Sequence, residues 1–286
     1  LNLSHLIRNL KAGVSGCTNC GGTGIYLLEI VQGSRFPQLS LCNCIGENCY
    51  VCPAEGKPPF LQYDESQDKM IPCICAEARK ALANYNQRIK KSNIPPRYQY
   101  KFLDKLDISG NGLITFMVAH DWAMELVTHY QNKNRIQQGM YLSGNTGSGK
   151  TLLACSILNE LIFRFDTDCK YVKVNKDFLN VLKGSYNKDS ELYGQELIIE
   201  MEIANVEVLV IDDFGVQKDT EWANSKLYDL IDHRYETEKL TLLTSNIPLT
   251  EMKDISEGRI YSRLLEMTRE LRLECPDYRE KFHNVH

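Results

Sequence analysis

Eight consecutive residues, Gly144, Asn145, Thr146, Gly147, Ser148, Gly149, Lys150 and Thr151, follow the order G-x-x-x-x-G-K-T, with Leu152 next in line. Glycines at these positions let backbone N–H groups curl around an anion, the lysine adds a point charge, and the terminal hydroxyl suits a divalent cation. The ligand that needs all three together is a nucleoside triphosphate, ATP or its product ADP, carried with Mg2+. Further along, an apolar run from Val206 to Ile211 ends in Asp212 and Asp213. An acid at a strand's carboxyl end can hold magnesium through water, with Thr151 as ligand, and the acid after it can orient or deprotonate an attacking water. A third apolar run, Leu240 to Thr244, ends in Ser245 and Asn246, an amide placed to sense the γ-phosphate. Arg259 and Arg263 stand four residues apart, on one face of a helix. From such a face an arginine can enter the site of a neighbouring copy and neutralise charge on the transferring phosphoryl group.

A second chemistry lies upstream. Eight of the eleven cysteines fall in close pairs before residue 76: Cys17-x2-Cys20, Cys42-x-Cys44, Cys49-x2-Cys52 and Cys73-x-Cys75. Each C-x2-C turn presents two thiolates on one side of a knuckle, and a second pair from another strand completes the tetrahedral set that zinc prefers. The pattern is an internal duplication, so two zinc ions per chain are expected. Sequential grouping of the pairs is preferred, and an outer set (Cys17, Cys20, Cys73, Cys75) around an inner one is the alternative. Four thiolates leave no open position for water, which makes the expected role structural or adhesive.

The elements that must position these residues follow from periodicity. Met140 to Ser143 reads as a buried strand feeding the glycine-rich loop, and Leu152, Leu153, Leu158, Leu161, Ile162 and Phe165 repeat at helical spacing after it. Ile25 to Val31 and Gln38 to Leu41 read as strands around a Gln32-Gly33-Ser34 turn. Ala76 to Lys91 reads as a basic helix, stopped by Pro95 and Pro96. The expected domains are therefore a cysteine module over 1–75, a basic helical linker over 76–98 and an ATPase domain over 99–286. At 286 residues with 43% hydrophobic and 24% charged side chains, the chain has the balance of a folded globular protein. No run approaches a membrane span, no secretory signal opens the sequence, and paired thiols suit a reducing compartment, so a cytoplasmic protein without membrane partners is expected. The net charge is −4. Apart from Arg79, Lys80, Arg88, Lys90, Lys91, Arg97 and Lys101 the chain is acidic, which argues against strong stand-alone nucleic-acid binding.

Taken together, these pieces resemble the bacterial replicative-helicase loaders of the DnaC and DnaI type and the related transposition ATPase IstB. Beyond the glycine-rich loop the resemblance rests on Ile94-Pro95-Pro96-Arg97-Tyr98, Val210-Ile211-Asp212-Asp213-Phe214-Gly215, Ile231-Asp232-His233-Arg234-Tyr235, Leu243-Thr244-Ser245-Asn246, Ser262-Arg263-Leu264-Leu265-Glu266-Met267 and Pro276-Asp277-Tyr278-Arg279. It implies an α/β fold: an AAA+ P-loop domain with a parallel sheet flanked by helices, little or no lid, and a small β-rich amino-terminal zinc-binding domain. It implies Asn246 as sensor and Arg263 as arginine finger, with Arg259 second choice. The implied catalytic set is then Lys150, Asp212, Asp213, Asn246 and Arg263. Asp213 stands where many AAA+ enzymes carry Glu, so weak or partner-dependent hydrolysis is expected. The implied function is ATP-dependent loading of a replicative DNA helicase onto single-stranded DNA, by a protein that forms homo-oligomers when ATP-bound. The basic segment and Lys183 to Tyr186 are candidate contacts to single-stranded DNA inside an assembled spiral, although a basic run is more often simply a solvated face. Other readings are a transposition helper, a nucleotide-gated adaptor without useful turnover, and a chaperone-like module.

Overall fold

The computed structural model describes residues 1–29, 36–46, 49, 52, 58–108, 113–132, 138–216 and 220–277. Their contacts divide the chain into two compact units, Leu1–Lys91 with Ile162–Asp166, and Ser92–Leu161 with Thr167–His286.

The first unit holds two antiparallel hairpins. Strand β1 (Ile25–Leu28) pairs with β2 (Gln38–Leu41), which runs into a single helical turn, α1 (Asn43–Gly46). Strand β3 (Leu61–Asp64) pairs with β4 (Lys69–Pro72). Between β3 and β4 the Asp64 carboxylate accepts from the Ser66 N–H at 2.9 Å, the local bond that favours Asp in turns. Helix α2 (Ala76–Lys91) follows, with Glu77 in its first turn and Arg88, Lys90 and Lys91 in its last, charges that complement the helix dipole. The expected first strand is observed over Ile25–Leu28, while residues 30–31 and the Gln32-Gly33-Ser34 turn lie outside the described residues. Among its described residues the buried large apolar side chains, such as Leu3, Leu6, Ile7, Ile25, Leu27, Leu39, Ile45, Phe60 and Ile89, are few for a unit of this size without a further constraint.

The second unit is built on a five-stranded sheet. Helix α3 (Ile114–Thr128) precedes β5 (Gly139–Gly144), α4 (Lys150–Phe165) and β6 (Cys169–Lys173). A π-helical turn (Val174–Leu179) leads into α5 (Asn180–Ser185) and α6 (Glu196–Asn205). Then come β7 (Val208–Phe214), α7 (Glu221–Glu236), β8 (Leu240–Ser245), a 3-10 stretch (Leu249–Gly258), α8 (Arg259–Met267) and β9 (Thr268–Leu273). The sheet order is β6-β7-β8-β5-β9 and every pairing is parallel, so all five carboxyl ends open on one side. Strands buried on both faces need near-continuous apolar sequence. β5 and β8 accordingly bury almost every residue, and Leu209, Ile211, Phe214, Leu227, Ile231 and Leu243 share one core. No helix among the described residues is long and apolar enough to cross a membrane.

Candidate nucleotide site and thiol clusters

The glycine-rich loop joins the carboxyl end of β5 to the amino end of α4, the junction at which backbone N–H groups and helix dipole both favour an anion. All three of its glycines have positive φ and no room for a Cβ, and two of them are packed against polar groups. Gly144 has φ +133, and a Cβ there would stand 2.3 Å from the Leu273 carbonyl oxygen of β9. Gly147 has φ +82, and a Cβ there would stand 1.9 Å from Oδ1 of Asp277, whose carboxylate lies over the loop. Lys150 is buried and donates to the carbonyl oxygens of Gly144 and Asn145 at 2.8 and 2.7 Å, so its ammonium is held at the loop mouth.

Across the sheet, Asp212 is 1% exposed and both its carboxylate oxygens are engaged. Oδ1 accepts from the Thr151 hydroxyl at 2.8 Å and from the Thr244 hydroxyl at 2.7 Å; Oδ2 accepts from the Tyr171 hydroxyl at 2.5 Å. Three strands and the helix amino terminus thus converge on one carboxylate. Burial, and then the Asp212 charge, push the Tyr171 hydroxyl's pKa well up, which keeps it a donor. The sequence suggests an apolar strand from Val206 that ends in Asp212 and Asp213; β7 starts instead at Val208, and its pairing continues past both acids to Phe214 through a register shift. The shift turns Asp213 into the left-handed region at φ +60, with its N–H donated to the Thr244 hydroxyl at 3.1 Å. Lys173, at the tip of β6, donates to Asp213 Oδ2 at 3.1 Å and stands 3.6 Å from Asp212 Oδ2. Burial opposes its charge, but the Asp213 hydrogen bond and the two carboxylates outweigh that and push its pKa up.

Asn246 follows β8 and lines a cavity of about 610 Å³ with Gly144, Asn145, Arg272 and Glu274. It is therefore on the loop's side of the sheet, as the sequence suggests. Arg263 is on α8, and its guanidinium is engaged within its own chain: Nε pairs with Asp232, and another nitrogen donates to the Tyr228 hydroxyl at 2.8 Å. Arg259 lies 4.8 Å over the Tyr228 ring, so both arginines share one aromatic shelf on α7. Tyr278 and Arg279 lie outside the described residues.

The eight amino-terminal cysteines gather into two sets in chain order, Cys17, Cys20, Cys42 and Cys44, then Cys49, Cys52, Cys73 and Cys75, with the sulfurs of each set within 4.8 Å of one another. A tetrahedral ion with bonds of about 2.3 Å places its sulfurs about 3.8 Å apart. Cys17 and Cys42 are 3.7 Å apart, Cys20 and Cys44 3.6 Å, and Cys49 and Cys73 3.2 Å, too far for disulfides and suited to a shared ion. The Cys20 and Asn19 backbone hydrogen bonds bring the Cys17 thiol down to about 7, whereas burial pushes Cys42 and Cys75 up to about 12. The buried thiols need a cation to become thiolates.

Residues 120–279, more than half of the chain, match the family described as IstB-like ATP binding protein. The chain belongs to the IstB-like ATP-binding protein family. Uncharacterized protein YqaM of Bacillus subtilis (strain 168) is 28% identical over 158 residues, which cover 53% of this chain and 48% of YqaM. The chain thus spans about half the length of that relative. Replicative helicase loader DnaC of Escherichia coli (strain K12) is 26% identical over 217 residues, 74% of this chain and 84% of DnaC. Among solved structures, the crystal structure of DnaI shares the fold with a TM-score of 0.52 at 22% identity, over 63% of this chain and 95% of that one.

Within this IstB-like core, the loop and the acids are marked in the sequence, whereas Tyr171, Lys173 and Thr244, which also bond the acids, carry no motif. Tyr171 and Lys173 are two apart on β6, hence on one face, and in register with Val210 and Asp212 of β7. That alternation was the available signal, but Cys169–Lys173 is short and its pairing with β7 rests on strand order. In sequence Thr244 is only the end of an apolar run. Its hydroxyl links Asp212 to Asp213 and becomes visible only when β8 is laid beside β7.

Proposed function

We propose that this chain is an ATPase that loads a hexameric replicative helicase onto single-stranded DNA. The observation that carries the reading is the extent of the match to DnaC, which reaches well beyond the P-loop core and spans most of that loader. In this reading residues 99–286 form the motor, 76–98 a basic linker that with Lys183 to Tyr186 meets single-stranded DNA, and 1–75 a zinc-held module that grips the helicase in the cytoplasm.

The site residues take the following roles. Gly144 to Leu152 surround the nucleotide phosphates, Lys150 neutralises their outer oxygens, and Asn246 reports the γ-phosphate. Thr151 and Asp212 are all-oxygen donors 2.8 Å apart, which suits magnesium. When bound there, magnesium supplies Lewis-acid polarisation of the phosphoryl oxygens. Asp213 orients the attacking water, and Arg263 of an adjacent copy stabilises the transferring group. The two cysteine sets hold one zinc each. Hydrolysis is weak until helicase and DNA are present, and ATP favours a homo-oligomer.

The test is transfer of a hexameric helicase onto circular single-stranded DNA, which has no end to thread. Transfer should require this chain and ATP and should vanish with Lys150→Ala. Lack of association with any replicative helicase, despite tight ATP binding, would remove the loader reading. The family match favours one second reading, a helper ATPase for a transposase. Association with a transposase bound to duplex DNA, in place of the helicase, would select it.

A further inference from the structure

We infer that Asp277 is a built-in competitor of the nucleotide: its carboxylate rests on the phosphate loop and opposes phosphate entry until the segment that carries it is drawn away. The inference rests on the ATPase reading and adds the regulation of that same site.

The placement follows from the end of the sheet. β9 runs parallel to β5, and its last residue, Leu273, pairs with Gly144, the first residue of the loop. A chain leaving β9 therefore leaves beside the loop mouth. One turn of α3 then holds both. The Thr115 hydroxyl accepts the Glu274 N–H at 3.0 Å and lies 3.3 Å from Sγ of Cys275, which is buried. The next residue, Phe116, packs on the loop itself, with its ring 2.7 Å from where a Cβ on Gly149 would stand. Cys275 and Pro276 line the same cavity as Gly144, Asn145 and Asn246, and Asp277 comes directly after them.

At Asp277 the geometry becomes specific. Both carboxylate oxygens and Cγ lie 1.9 to 2.4 Å from the position that a Gly147 Cβ would take, so the carboxyl group fills the space of a side chain on the loop. Gly147 at φ +82 and Gly149 at φ +93 give the curl that turns N–H groups toward an anion. A carboxylate on that curl offers the same kind of charge and the same kind of acceptor as the phosphate it suits. An incoming triphosphate thus meets a fixed negative charge at close range, which raises the free energy of the bound state. The contact is also reversible. Glu274 and Pro276 are exposed and Asp277 is only half-buried, so a partner can reach this segment and lift it without opening the core.

The experiment measures the affinities of ATP, inorganic pyrophosphate and adenosine by calorimetry for wild type, Asp277→Asn, Asp277→Ala and Asp277→Glu. Asp277→Asn, which removes the charge and keeps the shape, should tighten ATP and pyrophosphate roughly fivefold or more and leave adenosine unmoved. Asp277→Ala, which also clears the space, should gain at least as much. Asp277→Glu, which keeps the charge, should stay close to wild type. Unchanged ATP affinity in Asp277→Asn and Asp277→Ala overturns the inference. Weaker ATP binding in those two variants also overturns it, and would make Asp277 a ligand of the nucleotide. A gain shared by adenosine would mean that Asp277 acts only through the fold, and overturns it as well. If none of the four proteins binds ATP or pyrophosphate, the ATPase reading falls instead.

Discussion

Asp212 shows how much one side chain can gather: a hydroxyl from the phosphate-loop helix, one from β8 and one from β6 all end on it. Such a carboxylate is positioned before any ligand arrives, which is what electrostatic preorganisation requires. Tyr171 is the member whose loss is cleanest to read, because Phe preserves its packing. Tyr171→Phe should cost about 1 kcal/mol of stability in urea unfolding, the usual net worth of one buried hydrogen bond. The same variant should reduce hydrolysis more than ATP affinity, since the Asp212 carboxylate, no longer anchored through Oδ2, can turn away from Thr151 while the phosphate loop stays intact. Equal losses in affinity and turnover would mean that Tyr171 supports only the fold. The thiols offer a sharper test at this scale. With the cysteines grouped in chain order, Cys17→Ser combined with Cys42→Ser should remove one zinc, and Cys17→Ser combined with Cys73→Ser should remove both. The outer and inner arrangement predicts the reverse, so metal analysis of the two double variants decides between them.

The elements are tied together by a buried cation whose partners are carbonyl oxygens and a hydroxyl. Arg234 on α7 is fully buried, and its guanidinium donates to the carbonyl oxygens of Ala204, Val206 and Leu240 and to the Thr241 hydroxyl, at 2.6 to 2.9 Å. It thereby fixes the end of α6 and the starts of β7 and β8, the two strands whose tips bear Asp212 and Asn246. Arg234→Met fills similar volume but leaves buried acceptors unpaired, and should destabilise by about 3 kcal/mol in denaturant unfolding. A loss under 1 kcal/mol would show that water replaces the guanidinium. Much of this layer was legible in sequence. Apolar runs before Ser143, Asp212 and Asn246 marked β5, β7 and β8, and the helical repeat after Thr151 marked α4. What stayed hidden depends on lateral order. The chain gives no local sign that β9 lies beside β5, or that β6 flanks β7 and so carries Lys173 and Tyr171 to the acids. Arg234 was likewise readable as a member of a familiar string, but its partners are carbonyls, which carry no side-chain signature.

For the whole molecule, the question is where Arg263 acts. Within one chain it pairs with Asp232 and packs 4.7 Å over Tyr228, a partly exposed arrangement worth no more than about 0.5 kcal/mol. Arg263→Ala should therefore leave unfolding nearly unchanged, and the contact is weak enough to be surrendered to a neighbouring copy under the proposed ATP-dependent assembly. If the guanidinium then serves the adjacent copy, the two halves of one catalytic centre come from different chains. That arrangement has a signature no single-chain role can reproduce. Lys150→Ala destroys a subunit's own phosphate site but leaves it able to donate Arg263, whereas Arg263→Ala keeps the phosphate site and cannot donate. Each variant alone should lack helicase- and DNA-stimulated hydrolysis. An equimolar mixture should recover about a quarter of the wild-type rate, because about one interface in four then joins an intact phosphate site to an intact arginine. Activity of the mixture no higher than the mean of its parts would place Arg263 outside the neighbour's site and leave its bond to Asp232 as its main role.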